Sequence, residues 1–139
     1  MRRLTTSLAL ALAALAVTAT AALADGGQTV QPTAKQKAAI VKAWAGSGTA
    51  PSAKCLDIKL SKNNRVWAGL VFNTKATGCG AAAFDGTAIL WGKGTKWNVL
   101  MEGSDVDATT CTAMASVLGP NAWVDLAGYA GGMGCQNID

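Results

Sequence analysis

Four cysteines that follow an export-type leader constrain this 139-residue chain more than any other feature. The cysteines are Cys55, Cys79, Cys111 and Cys135. In an exported chain of this size, an even cysteine count predicts disulfides, which supplement a modest hydrophobic core. Four cysteines allow three connectivities. The equal separation of 24 residues within each neighbouring pair favours Cys55 with Cys79 and Cys111 with Cys135.

The first 24 residues have the pattern of a secretory signal peptide. Met1-Arg2-Arg3 supplies positive charge, Leu8 to Ala22 is small and apolar, and Ala22-Leu23-Ala24 offers a cleavage site before Asp25. The apolar stretch is shorter than the roughly 20 residues of a membrane span. We therefore expect a protein that is secreted, extracellular or associated with the cell wall.

Cleavage would leave a flexible arm, residues 25–32, and a single globular domain, residues 33–139. It also removes Arg2 and Arg3 from the 12 basic residues, so the remaining charge nearly balances the 8 acidic residues. No dense basic stripe is present, which argues against a nucleic-acid partner. We expect a monomer with no membrane contact after cleavage.

The hydrophobic pattern predicts an α+β fold. Thr33 can cap a helix whose apolar stripe includes Ile40, Val41 and Trp44. Alternation at Leu56 to Ser61 and an apolar return at Arg65 to Asn73 predict two antiparallel strands. Helical spacing after Cys111, with Gly119 and Pro120 separating two segments, predicts short C-terminal helices. The expected architecture is an N-terminal helix packed on an antiparallel sheet of about four strands.

The clearest hairpin follows Asp85-Gly86. Thr87 to Trp91 and Trp97 to Glu102 form its predicted strands, joined by Gly92-Lys93-Gly94-Thr95-Lys96. A symmetric turn of five residues would place Trp91 opposite Trp97 on one face of the sheet.

Several short runs are similar to a recurrent pattern in small exported actinobacterial proteins, most of which have no assigned function. The runs are Trp67-Ala68-Gly69-Leu70, Cys79, Phe84-Asp85-Gly86-Thr87-Ala88-Ile89-Leu90, Lys96-Trp97-Asn98-Val99, Glu102-Gly103-Ser104, Cys111 and Cys135. The resemblance spans residues 33–137 and implies a helix on an antiparallel sheet, with the tryptophans and Asp-Gly as scaffold. The chain departs from the pattern in its longer, Gly-rich stretch between Cys111 and Cys135.

Few residues offer catalytic chemistry. The chain has no histidine, and bridged cysteines leave no thiolate nucleophile, so Ser-His-Asp and Cys-His sites are excluded. Glu102, Asp105 and Asp107 lack the spacing of a calcium loop and fit a solvated turn. Glu102 with Asp57 or Asp85 could form a carboxylate pair for glycoside hydrolysis, but nothing else in the sequence supports that pairing. We predict no catalytic residue, cofactor or metal site.

Five tryptophans are the remaining candidates for a binding role. Their patterns favour burial of Trp44 and of the Trp91 and Trp97 pair. Trp67 lies on a strand that is apolar on both faces, so we expect it to be the exposed indole if one is exposed. The candidate ligand-contact residues are Trp67, Trp91 and Trp97.

These features together predict a secreted, disulfide-bridged, non-enzymatic domain that binds an extracellular glycan or protein. One alternative is an inhibitor of secreted proteases that presents the loop Thr74 to Gly80, held by Cys79. Another is a small hydrolase that uses Glu102 or Asp105. Exposed tryptophan would favour the glycan-binding hypothesis.

Overall fold

The structure, a computed structural model, describes residues 27–73, 75–79 and 86–135. The predicted signal peptide, residues 1–24, lies outside this range, as do Thr74, Gly80 and Asp85. The strands are β1 (Thr29–Val30), β2 (Leu56–Ser61), β3 (Trp67–Phe72), β4 (Thr87–Lys93) and β5 (Lys96–Gly103). The helices are α1 (Ala34–Ala45), α2 (Ala108–Asp125) and α3 (Ala127–Gly132), with a 3-10 turn at Ala53–Cys55.

The five strands form one antiparallel sheet in the order β1-β2-β3-β4-β5. The α+β class predicted from the sequence is therefore confirmed, with one strand more than expected. The additional strand is β1, in which Thr29 pairs with Ser61 and Val30 with Leu60. This strand lies within the segment expected to be a flexible arm, and its backbone pairing anchors that segment to the edge of the sheet.

Helices cover both faces of the sheet, and each face has its own hydrophobic core. One core lies between the sheet and α1 and includes Ile40, Ile58, Leu70 and Leu90. The other lies between the sheet and the C-terminal helices and includes Ile89, Met114, Leu118, Leu126 and Met133. Burial on both faces explains why β3 is apolar at nearly every position, since neither of its faces meets water.

The helix boundaries follow from local side-chain chemistry. The Thr33 hydroxyl accepts a hydrogen bond from the Gln36 amide (3.2 Å), and the Gln36 side chain accepts one from the Thr33 amide (3.0 Å), a capping box that begins α1. In α2, Gly119 adopts a left-handed φ of 74° and Pro120 starts a second helical segment. Only glycine adopts this conformation readily, so the kink is encoded locally.

Two disulfides, Cys55–Cys79 and Cys111–Cys135, hold the loop-rich parts of the chain. The pairing favoured by the equal spacing is confirmed. The first bridge joins the 3-10 turn before β2 to the connection between β3 and β4, and the second joins the first turn of α2 to the residues after α3. All four cysteines are buried, so the bridges also contribute to the two cores.

Candidate binding groove at the β4–β5 hairpin

The turn between β4 and β5 decides which tryptophan meets solvent. Its two central residues are Gly94 and Thr95, because Lys93 pairs with Lys96, and Gly94 has the left-handed φ of 62° that short hairpin turns favour. The expected turn of five residues was wrong. Trp91 therefore lies opposite Asn98, and Gly92 lies opposite Trp97.

A register shift of one residue moves side chains to the other face of a strand. Trp91 and Trp97 accordingly point to opposite faces, contrary to the predicted pair. Trp97 is only 7% exposed, belongs to the core under α1, and donates a hydrogen bond from its indole nitrogen to the Gly94 carbonyl (3.0 Å). Trp97 therefore packs in the core under α1, and the two indoles do not share one face of the sheet.

Trp67 was expected to be the exposed indole, and that prediction is wrong. It is 8% exposed and packs in the core beneath the C-terminal helices. Its cross-strand partner on β4 is Trp91, which is 48% exposed and lies outside that core. The apolar pattern of β3 could not separate the two, because which indole is covered depends on where α2 and α3 pack.

Trp91 forms the wall of a groove of about 500 Å³, which we call the Trp91 groove. Its lining residues are Val66, Trp91, Gly92, Lys93, Lys96 and Asn98. The indole supplies a flat apolar surface, and the Asn98 amide can both donate and accept hydrogen bonds. The ammonium groups of the two lysines donate hydrogen bonds and carry positive charge. An arrangement of this kind suits a ligand with one apolar face and a polar, hydrogen-bonding rim.

A second groove, of about 740 Å³, lies between α1 and the start of β5, and we call it the helix groove. Its lining residues are Ala39, Lys42, Ala43, Gly46, Thr95, Lys96, Trp97 and Asn98. Lys96 and Asn98 line both grooves, so the two are adjacent at the end of the hairpin.

Glu102 and Asp57 do not come together as a reactive pair, whereas the alternative pairing of Glu102 with Asp85 involves a residue outside the described ranges. Glu102 lies on β5 and Asp57 on β2, three strand spacings apart, or about 14 Å, beyond the separation of about 9.5 Å at which two carboxylates cooperate on a glycosidic bond. The Asp57 carboxylate instead accepts a hydrogen bond from the Tyr129 hydroxyl (3.4 Å). Burial, and then the charge of Asp57, raise the pKa of Tyr129 well above its usual range.

The loop after β5 has a structural role. The Asp107 carboxylate caps α2 by accepting hydrogen bonds from the Thr110 hydroxyl (2.7 Å) and amide (3.0 Å), which lower the pKa of Asp107. Asp105 is exposed and accepts one weak hydrogen bond from Ser104 (3.4 Å). Within the described parts of the chain, no group of three potential metal ligands is assembled.

A buried carboxylate, Asp125, lies at the end of α2, and no pattern in the sequence indicated it. It is 2% exposed and accepts hydrogen bonds from the Ser61 hydroxyl (2.6 Å), the Asn63 amide (2.9 Å) and the Asn63 side chain (3.1 Å). Burial alone would raise the pKa of Asp125, but these hydrogen bonds outweigh it and hold the pKa below its ordinary value. The carboxylate links α2 to the turn between β2 and β3 by hydrogen bonds between residues about 60 positions apart in the chain. A local sequence pattern cannot predict a contact over that separation.

The loop Thr74 to Gly80, which the inhibitor alternative would present to a protease, is described only at residues 75–79. Lys75, Thr77 and Gly78 are exposed there, while Cys79 is buried in its disulfide. None of the helices in the described ranges has the length and apolar character needed to cross a membrane.

No family model matches the chain, and no curated protein or solved structure matches it.

Proposed function

We propose that this protein is an exported, non-enzymatic module that binds an extracellular glycan in the Trp91 groove. The observation that carries the proposal is the exposure of Trp91 (48%) in a chain whose indoles at Trp67 and Trp97 are buried. Leaving half of an indole in water forgoes hydrophobic stabilisation, so a surface tryptophan set in a groove favours a ligand that covers it. The C–H face of a pyranose ring is flat, apolar and of matching size.

The composition of the groove favours a glycan over a protein partner. Trp91 and Val66 are its only apolar side chains among the described lining residues, and the other side chains are lysine and asparagine. Stable protein interfaces bury about 800 Å² on each partner around an apolar centre, which is more than these two residues offer. A sugar needs only one stacking surface and a few hydrogen-bonding groups around it.

The stacking contribution follows from the exposed area of Trp91. A ring that covers the exposed half of the indole removes about 100 Å² from water, which contributes at most about 2.5 kcal/mol. Trp91→Ala should therefore weaken glycan binding by up to about 70-fold, and Trp91→Phe should weaken it less. Affinity electrophoresis in gels that contain soluble polysaccharides, together with pull-down on insoluble glycans, measures this loss.

Val117→Ala is a matched control, because Val117 is also an exposed apolar residue but lies on α2. It should bind as the wild type does. Retention of the wild type on no glycan in the panel would refute the proposed function. Equal retention of wild type and Trp91→Ala would show that binding occurs elsewhere on the protein.

Export is the second part of the proposal. The two disulfides favour an oxidising compartment, and the leader pattern supplies the route. Mass spectrometry of protein recovered from the culture medium should find a mature chain that begins at Asp25. Recovery of full-length chain from the cell interior alone would contradict it. The resemblance to small exported actinobacterial proteins is in keeping with this proposal and stays a prediction.

A further inference from the structure

The Trp91 groove and the helix groove are neighbours at the end of the hairpin, where Lys96 and Asn98 line both. A ligand that leaves the Trp91 groove past these two residues would run towards the helix groove, and we call this course the path. A single sugar would occupy only the Trp91 groove. A polysaccharide chain that stacks on Trp91 continues past Lys96 towards α1.

The charge along this path has one sign. Lys93 and Lys96 line the Trp91 groove and Lys42 lines the helix groove, and all three side chains are exposed. Among the described residues that line the two grooves, none is acidic, and none of the three lysines forms a salt bridge with a described carboxylate. The positive charge of the path is therefore not neutralised by its own walls.

The hairpin also places two of these charges directly opposite each other. Lys93 pairs with Lys96 across the two strands, and like charges in this position destabilise a sheet. A polar uncharged residue at either position would remove the repulsion. A bound anion would neutralise both lysines, so the pair indicates a ligand with negative charge.

We propose that the ligand is an acidic polysaccharide, a chain of pyranose units that carry carboxylates. This inference rests on the proposed glycan-binding function. One ring stacks on Trp91, Lys93 and Lys96 bind the carboxylates next to it, and the chain crosses Lys96 into the helix groove, where Lys42 binds a further carboxylate. The indole selects the sugar ring and the lysines select its charge. A neutral glycan would stack on the indole and accept hydrogen bonds from the lysines, but it would leave their positive charges uncompensated.

The test compares polygalacturonate with uncharged dextran, using the purified protein with both disulfides formed. Wild type should bind polygalacturonate more tightly, and Lys42→Gln, Lys93→Gln and Lys96→Gln should each weaken binding about three- to fivefold. Lys35→Gln is the control, since Lys35 is an exposed lysine of α1 that lines neither groove. Raising the salt concentration to 1 M, where the screening length is about 3 Å, should remove most of the preference for polygalacturonate.

The possible failures are distinguishable. Dextran binding as tight as polygalacturonate binding, with no effect of the lysine substitutions, would overturn the acidic ligand and leave the glycan-binding function standing. Loss with Lys93→Gln and Lys96→Gln but none with Lys42→Gln would overturn the path into the helix groove. Polygalacturonate binding that survives Trp91→Ala unchanged would indicate simple ion exchange and overturn both proposals, as would tighter binding of a single-stranded DNA oligonucleotide.

Discussion

Replacing Asp125 with alanine should lower the free energy of unfolding by about 3 kcal/mol. The carboxylate accepts hydrogen bonds from the Ser61 hydroxyl (2.6 Å) and the Asn63 amide (2.9 Å), and each bond to a charged group contributes about 1.5–3 kcal/mol. Removal of the buried charge also removes its desolvation cost, which offsets part of the loss. Asn63 is exposed and can bond to water, whereas Ser61 is fully buried and would lose its acceptor.

Asp125→Asn should lower the free energy of unfolding by only about 1–1.5 kcal/mol. Its remaining carbonyl oxygen can still accept from Ser61 and Asn63, but uncharged hydrogen bonds are about half as strong as charged ones. The double variant Ser61→Ala with Asp125→Ala should be less destabilised than the sum of the two single variants by about 1 kcal/mol, because no buried hydroxyl is left without an acceptor.

The stabilisation by Asp125 should depend on pH in a defined direction. Because the pKa of Asp125 in the folded protein lies below the ordinary value of 3.8, its contribution is complete above that value and is lost as the pH falls through the folded pKa. The difference in stability between wild type and Asp125→Asn should therefore be constant from pH 7 to about pH 5 and shrink below pH 4.

Urea unfolding followed by tryptophan fluorescence and circular dichroism, repeated between pH 2.5 and pH 7, measures these differences. Asp105→Asn is the matched control, because it removes an exposed carboxylate and should change stability by less than about 0.5 kcal/mol. If Asp125→Ala were no less stable than Asp105→Asn at pH 7, the hydrogen bonds to Asp125 would make no net contribution to the free energy of unfolding.

Three further stability predictions use the same denaturation assay. Gly69→Ala should lower the free energy of unfolding by about 1–3 kcal/mol, because the added methyl group would overlap the Tyr129 ring. Gly128→Ala is the control: its methyl group would enter open space, and it should raise the free energy of unfolding by up to about 1 kcal/mol. Equal effects of the two substitutions would contradict the close packing of Tyr129 on β3. Replacing Cys111 and Cys135 together with alanine should cost about 3.5 kcal/mol, from the loop that the bridge closes, and a loss below about 1 kcal/mol would show that packing alone holds α3. Thr33→Ala removes the cap of α1 and should cost about 1 kcal/mol, with a neutral result indicating that water replaces the cap.

Some features could be predicted because their causes lie close together in the sequence. The capping residue Thr33, the break at Gly119-Pro120 and the alternation in β2 each depend on a few neighbouring residues. The disulfide pairing could also be predicted, since the equal spacing favoured two compact loops over crossed ones. Such features depend on local dihedral preferences and short-range chain entropy, which a linear pattern records.

The candidate site could be predicted from the sequence only in part. Trp91 was among the candidate contacts, but its expected partner was Trp97 and the expected exposed indole was Trp67. The error in the Trp91 and Trp97 pair arose from the hairpin turn, where a two-residue turn at Gly94 and Thr95 replaced the symmetric five-residue one and shifted the register by one. The error at Trp67 arose because α2 and α3 cover it. Lys42 was not connected to the hairpin, because its place beside β5 depends on how α1 lies on the sheet.

The α+β class, the presence of two bridges and the abundance of tryptophan as candidate binding chemistry follow from the sequence. The face that each strand residue occupies, the indole that the C-terminal helices cover and the lysines that line neighbouring grooves depend on how the helices pack on the sheet, because the exposure of a residue is not set by its neighbours in the chain. Trp67 and Trp91 face each other across two strands, and α2 and α3 cover the first while leaving half of the second in water.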